Sequence, residues 1–413
     1  MKISIFTPTH RPKDLMALYE SMRFQPWDEW VILYNGGAKP LGLEDARIHE
    51  SVLPETEDAN SKNVGFLKGQ AVDRCTGDIL VEVDHDDMLL PGCIEKLRLA
   101  FEEHPDIGFV YSNSVCCNQD FEPCTRYDAR YGWTYRDFDY KGHPLDETIS
   151  MAPTAASVSK IWGAPNHVRA FRRTLYDKIG GYDPTLPVTD DLDLMCRMFL
   201  ETEFLHLNEP LYLYRVHGEN TWLDPDVNKF IQTNTYALSD KYLPQMAEAW
   251  TRRQGLRCVE LGGRMAASKG FETVDLQDAD IVADLNERWP FEDNSIGVVR
   301  AFDIFEHLND PIHTMRELYR VLAPGAYAFI QVPSTDGRGA FQDPTHVSFW
   351  NENSFLYYTH KYWNKYISPG CDVRFQPVRL FTTDKDIHQV CWVRATLMKV
   401  TNETPRVQGE LDI

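Results

Sequence analysis

The sequence has no apolar run that approaches the roughly 20 residues a membrane-spanning helix needs, which excludes a helical span. The short apolar stretch Met1–Phe6 meets Pro8, His10 and Arg11 almost at once, so no secretory leader is expected. Cysteine is sparse and unpatterned. Nine residues, at 75, 93, 116, 117, 124, 196, 258, 371 and 391, form no CxxC pair, and reduced thiols in a cytoplasmic protein are expected. Positive charge is also short. Lys plus Arg is 42 against 62 for Asp plus Glu, a net charge of −20. Such a surface repels phosphate polymers and anionic membranes, which argues against nucleic acid as a partner but leaves room for a cation-bridged anionic ligand. There is no internal repeat and no low-complexity tract. What remains is 413 residues, 43% hydrophobic and 25% charged, the make-up of two or three soluble globular domains.

The first quarter alternates strand and helix signals. Strands are predicted at Ile3–Phe6, Trp30–Tyr34, Asp78–Val83 and Gly108–Ser112. Helices are predicted at Asp14–Met22, Phe66–Cys75 and Cys93–Glu103. Alternating units of this kind build a mainly parallel sheet that takes ligands at the strands' C-terminal ends. From Cys116 to Ser159 the pattern fades into aromatic and polar residues, which reads as a long functional loop or lid. Pattern returns with a strand at Val168–Phe171, a helix over Asp191–Phe204 and a strand at Pro210–Arg215. A polar helix over Asn228–Arg253 reads as a linker. A second αβ block opens at Arg257, with strands at Arg257–Leu261, Glu272–Asp275, Ile281–Asp284, Ile296–Phe302 and Ala326–Val332. A helix from Asp310-Pro311 to Leu322 lies between the last two. The expected division is 1–222, a linker 223–256, and 257–413.

The strongest local feature is Asp84-His85-Asp86-Asp87 at the end of an apolar strand. Clustered carboxylates there make a hard-oxygen site for Mn²⁺ or Mg²⁺, although a loop whose aspartates cap the next helix has the same sequence. Its context extends in one order along the chain. Thr7-Pro8-Thr9-His10-Arg11 comes first, then Asn63-Val64-Gly65 with Gly69-Gln70-Ala71, Thr76-Gly77-Asp78, and Leu90-Pro91-Gly92 after the acidic run. Further on lie Gly180-Gly181-Tyr182-Asp183, Asp190-Asp191 with Asp193 and Arg197, and Glu209 through Asn220. Over residues 1–222 this series resembles the family 2 glycosyltransferases, which have the α/β GT-A nucleotide-sugar-binding fold with a DxD motif.

The resemblance implies an inverting, metal-dependent glycosyltransferase that moves a sugar from a nucleotide diphosphate donor to an acceptor hydroxyl. By that likeness Pro8, Thr9 and Arg11 border the nucleotide, Asp84 faces the donor, and Asp86 binds the metal, with His217 a candidate to complete its shell. Arg215 is a candidate contact for the pyrophosphate. An inverting displacement needs a base to take the acceptor proton, and Asp191 matches the second residue of the family's acidic pair. Helix capping is the competing role for Asp190 and Asp191. Lys68 is a candidate to reach the phosphates, and a solvated helix position is the reading preferred for it. One departure concerns the base of the nucleotide. After the second strand the family carries acids, whereas here the run is Tyr34-Asn35-Gly36-Gly37, leaving Asn35 as the polar substitute.

From 257 to about 400 the chain resembles the Rossmann-like class I methyltransferases that bind S-adenosylmethionine. The carrying residues are Val259-Glu260-Leu261-Gly262-Gly263, Val274-Asp275-Leu276, Asp280 to Asn286, Phe305-Glu306-His307-Leu308 and Glu317 to Gly325. The likeness implies that Gly262 lies under the cofactor, Asp275 holds the ribose and Asp284 faces the adenine. Arg264 displaces the second motif glycine, so an active methyltransferase and a degenerate domain both stay open. Asp343-Pro344-Thr345-His346 offers a base for O-methylation or forms a structured surface loop. Three functions remain: transfer to a glycan or other hydroxyl-bearing acceptor with a second O-methyltransferase activity, transfer to a protein or modified nucleic-acid base with a non-catalytic C-terminal domain, and a scaffold with both folds inactive.

Overall fold

The computed structural model describes residues 1–54, 63–263, 268–368 and 370–401. Two compact units are present. One comprises residues 1–129 and 133–243, and the other comprises 130–132 and the chain from Pro244 on. The division falls within the long helix Pro225–Arg253. No described helix is long and apolar enough to cross a membrane. All nine cysteines are free thiols.

The first unit is an α/β fold on one mixed sheet. Its strands are β1 (Ile3–Thr9), β2 (Glu29–Tyr34), β3 (Ile48–Val52), β4 (Ile79–Glu82), β5 (Met88–Leu89), β6 (Phe109–Asn118), β7 (Thr134–Tyr140), β8 (His143–Ile149), β9 (Arg169–Arg172) and β10 (Phe204–Val216). The main path runs β3-β2-β1-β4-β9-β6-β10-β5. β1, β2 and β4 are apolar, buried along nearly their whole length and parallel, as expected for strands covered on both faces. Their C-terminal ends deliver Thr9–Arg11 and Asp84–Asp87 to one edge. β9 and β5 run antiparallel, so the sheet is less uniformly parallel than the alternation of elements suggests.

The predicted lid over Cys116–Ser159 is largely a β-ribbon. β6 continues to Asn118, and β7 and β8 form a hairpin whose turn, Lys141-Gly142, has φ of 54° and 87°. β8 then pairs with β6. The Tyr, Phe and Thr residues that blurred the pattern are strand formers on a ribbon exposed along much of β7, where no apolar alternation is required. β3 escaped notice for the same reason, since its five residues are only partly covered.

The second unit holds a seven-stranded sheet. Its strands are β11 (Arg257–Leu261), β12 (Glu272–Asp275), β13 (Ile281–Val282), β14 (Ile296–Phe302), β15 (Leu322–Pro333), β16 (Phe375–Thr382) and β17 (Trp392–Lys399), in the order β13-β12-β11-β14-β15-β17-β16. The first five are parallel, and β17 and β16 add antiparallel to β15. This is the Rossmann-like arrangement expected of the block. The helix Pro311–Val321 starts as its sequence foretold, with Asp310 accepting from the Ile312 and His313 amides and Pro311 in the first turn. Trp289, Phe305, Trp350 and Phe355 fill the core between sheet and helices.

Packing in the first unit is tight where the helix Val64–Val72 meets the start of the helix Asp190–Glu201. A Cβ on Gly65 would lie 2.2 Å from the Asp183 carbonyl oxygen and 3.2 Å from Cβ of Asp190. Gly65→Ala should therefore cost about 1–3 kcal/mol through overpacking. A reduced urea midpoint with the slope unchanged is the expected result.

Candidate active site

The candidate site of the first unit is assembled at the C-terminal edge of β1 and β4. Thr9, the last residue of β1, is buried, and its hydroxyl accepts from the Arg11 amide at 3.0 Å. Pro8 is paired within β1 opposite Leu33, and Asn35, buried just past β2, donates its amide to the Thr9 carbonyl at 2.9 Å. The Arg11 guanidinium then gathers two separate segments, the acidic loop and the stretch His217–Glu219. It lies 3.0 Å from Asp86 Oδ2, 2.6 Å from Glu219 Oε2, 2.9 Å from His217 Nε2 and 3.3 Å from His85 Nε2. His217 Nε2 is itself 2.7 Å from the same Asp86 oxygen. Burial alone would raise the Asp86 carboxyl, but His85 and His217 beside it hold it below the ordinary carboxylate range.

Asp87 has a different task. It is buried and accepts from the Arg215 amide and the Tyr212 hydroxyl, both at 2.8 Å, which locks the acidic loop onto β10. Burial and the neighbouring Asp86 and Asp84 push its carboxyl far up. Arg215 also donates its Nε to the Asp86 carbonyl, while its Nη2 is buried without a hydrogen-bond partner. Asp84 stays partly exposed, its amide donating to Tyr212 Oη at 3.2 Å and its Oδ2 3.8 Å from His167 Nε2.

His167 leads inward to a buried ionic cluster, since its Nε2 is also 3.9 Å from Glu82 Oε1. Glu82, the last residue of β4, is held by Lys68 at 2.5 Å and by the Tyr182 hydroxyl at 3.2 Å. Lys68 reaches Asp190 Oδ2 at 3.1 Å, and Arg169 Nη1 reaches Asp191 Oδ2 at 2.6 Å. Lys68 is therefore buried and paired, and the expectation of a solvated side chain is overturned. Burial would lower its ammonium, but Asp190 and Glu82 hold it well above the ordinary value. Thr189 occupies the N-cap position and its side chain makes no cap bond, but the competing capping role holds in part for Asp191, whose Oδ1 accepts from the Leu192 amide in the first turn at 2.7 Å. The two acids diverge electrostatically. Burial pushes the Asp190 carboxyl up to about 6 against the pull of Lys68, whereas Arg169 and Lys68 overcome burial and keep Asp191 low. Asp191 is also the more accessible, with 18% of its side chain exposed against 4% for Asp190.

Sequence reasoning thus located the acidic loop, Arg11, His217 and Asp191, and the structure brings the first three into direct contact. It missed Glu82 and the pairing of Arg169 with Asp191 and of Lys68 with Glu82 and Asp190. A glutamate ending a wholly buried strand was the signal available, because a buried charge requires a partner.

In the second unit Gly262 ends β11 at φ +78°, donates its amide to the Val274 carbonyl, and would place a Cβ 3.1 Å from Ile304. That φ favours glycine, and the tight contact adds to the preference. Asp275 ends β12, with Oδ1 accepting from the Leu276 amide at 2.6 Å. Asp284 lies exposed past β13, with Oδ1 turned onto Asn286. Arg264 lies outside the described residues. Asp343, Pro344 and Thr345 form an exposed loop structured by Asp343 Oδ1, which accepts from the Thr345 amide and hydroxyl, and the His346 side chain turns inward with 7% exposed.

Residues 245–330 match the family described as "Methyltransferase domain". A Haemophilus influenzae protein described as an uncharacterized glycosyltransferase is 26% identical over 245 residues, 58% of this chain and 74% of the relative. Chondroitin synthase of Escherichia coli is 23% identical over 225 residues, and this chain spans only 29% of it. Among solved structures, Staphylococcus aureus TarS 1–349 aligns over 61% of this chain and 72% of its own, with 13% identity and a TM-score of 0.42.

Removing Lys68 takes from the buried Glu82 and Asp190 the cation they share. Lys68→Met should destabilise the protein by about 3–5 kcal/mol. Equilibrium urea unfolding would register it, and Lys68→Met combined with Glu82→Gln should recover part of the loss.

Proposed function

We propose that this chain, a glycosyltransferase of GT-A fold joined to a methyltransferase-like domain, moves a sugar from a nucleoside diphosphate donor to an acceptor hydroxyl with inversion at the anomeric carbon. The observation that carries this reading is the convergence of Arg11, Asp86 and His217 at the strand ends, with an ionised, partly exposed Asp191 on the same sheet edge as the acidic loop.

The donor set, one carboxylate and one imidazole, fits a divalent cation such as Mn²⁺. Asp86 Oδ2 and His217 Nε2 converge at 2.7 Å, close to the roughly 3 Å between adjacent ligands of a small cation. Arg11 shares the same carboxylate oxygen, so cation and guanidinium compete for Asp86. When bound, the cation neutralises charge on the departing nucleoside diphosphate. Arg215 adds a spare buried N–H for the same oxygens. Pro8, Thr9 and Asn35 form the floor on which the nucleotide rests, and Asp84 faces its ribose.

Asp191 accepts the acceptor's proton as its oxygen attacks. The positive charge of Arg169 keeps this carboxylate ionised in the resting protein and stays behind to balance Glu82 once the proton has moved. In the second unit Gly262, Asp275 and Asp284 present a glycine turn and two acids at successive strand ends, a set that fits S-adenosylmethionine.

Asp191→Asn should lower turnover by about 10²–10⁴-fold and leave donor-nucleotide affinity within about twofold, measured by donor titration beside a transfer assay with Mn²⁺. Unimpaired turnover would remove Asp191 as the base. In the wild type the acid limb of kcat should lie below the ordinary carboxylate range. Asp191 is depressed, so activity is retained as pH falls until its lowered pKa is crossed. Calorimetric titration with S-adenosylmethionine should show saturable heat that Asp275→Ala abolishes, and absence of heat from the wild type would favour a non-catalytic second domain.

A further inference from the structure

The second unit contains a cluster that neither sugar transfer nor cofactor binding uses. Glu306 and His307 lie in the short turn Phe305–His307 after β14, and His346 ends the Asp343-Pro344-Thr345-His346 segment. One ligand atom from each of Glu306, His307 and His346 lies within 4.8 Å of the other two. The two segments are stitched together by main chain, because the Glu306 carbonyl accepts from the Val347 and Ser348 amides at 2.8 and 3.0 Å.

Both imidazoles are oriented in the same way. His346 Nδ1 lies 3.0 Å from the Ala340 carbonyl, and His307 Nδ1 lies 3.2 Å from the Thr345 carbonyl. Donation from each Nδ1 places the lone pair on Nε2, which is the arrangement that outer-shell carbonyls impose on metal-bound histidine. His346 Nε2 lies 4.0 Å from Glu306 Oε1 and 4.0 Å from Asp343 Oδ2. These separations are too long for hydrogen bonds and wide enough for an ion between the atoms. Glu306 is only 2% exposed, and its Oε2 is buried without a partner. A carboxyl buried in this way takes up either a cation or a proton.

We propose that Glu306, His307 and His346 bind a divalent transition metal of the zinc class, with Asp343 at the open side of the site. Two imidazoles and one carboxylate suit Zn²⁺, Co²⁺ or Fe²⁺, whereas Mg²⁺ and Ca²⁺ prefer all-oxygen shells. Three protein ligands leave a position for water or a hydroxyl-bearing ligand. Ile304, which packs over Gly262, lies two residues before Glu306, so the site sits at the strand-end edge where the second unit would receive its ligands.

The test uses the full chain carrying Asp86→Ala and His217→Ala, so that metal held by the first unit contributes nothing. After dialysis against chelator, Co²⁺ titration followed by visible absorption and Zn²⁺ content after gel filtration should both report one equivalent. His307→Ala, chosen because this side chain is the more exposed of the two histidines, and His346→Gln should each weaken binding more than about tenfold, with the metal-free circular dichroism and melting temperature retained. If either variant fails to fold, the other carries the comparison. No bound metal in the parent, or equal affinity in a folded His307→Ala or His346→Gln variant, would overturn the proposal. Because the parent lacks Asp86 and His217, that result would be independent of the sugar-transfer reading.

Discussion

The organisation of the first unit turns on Glu82, a carboxylate that ends a fully buried strand. Such a charge is tolerated only when opposite charge and hydrogen-bond donors surround it. Lys68 comes from the helix Val64–Val72, Tyr182 from the glycine turn, Arg169 from β9, and His167 from the residues just before β9. Three segments of the chain, around Lys68, His167–Arg169 and Tyr182, are thereby tied to one point at the strand ends. The two acids that open the helix Asp190–Glu201 are set by the same cations, Asp190 by Lys68 and Asp191 by Arg169.

From that arrangement the chemistry of the acidic pair follows. Neighbours in sequence usually share an environment, yet Asp190 is driven towards the neutral form and Asp191 towards the ionised one. The difference comes from depth and from which cation each faces. A second hub, Arg11, repeats the logic nearer the surface. It holds the acidic loop and the His217 loop in register.

The second unit shows the contrast between a fold that is kept and a motif that is altered. Its strand order, its Asp310-Pro311 helix start and its Gly262 turn follow the methyltransferase-like plan, and residues 245–330 match that domain family. Its least expected feature is the pair of histidines with Glu306, in which the backbone orients the rings and leaves a buried oxygen unpaired.

Periodicity and motif order alone determined the two αβ blocks, the strand ends that carry Arg11, Asp86 and Gly262, and the acids from Asp190 to Asp193. Those features are written in local runs of a few residues, where burial on both faces forces apolar strands and turns demand glycine or aspartate. The ribbon of β7 and β8 was illegible, because a largely exposed hairpin needs no apolar alternation. The partners of Lys68, Glu82 and Arg169, the divergence of Asp190 from Asp191, and the meeting of His307 with His346 were decided only by tertiary structure. Each depends on contacts between residues 14 to 122 positions apart, or on a depth of burial that no local pattern encodes.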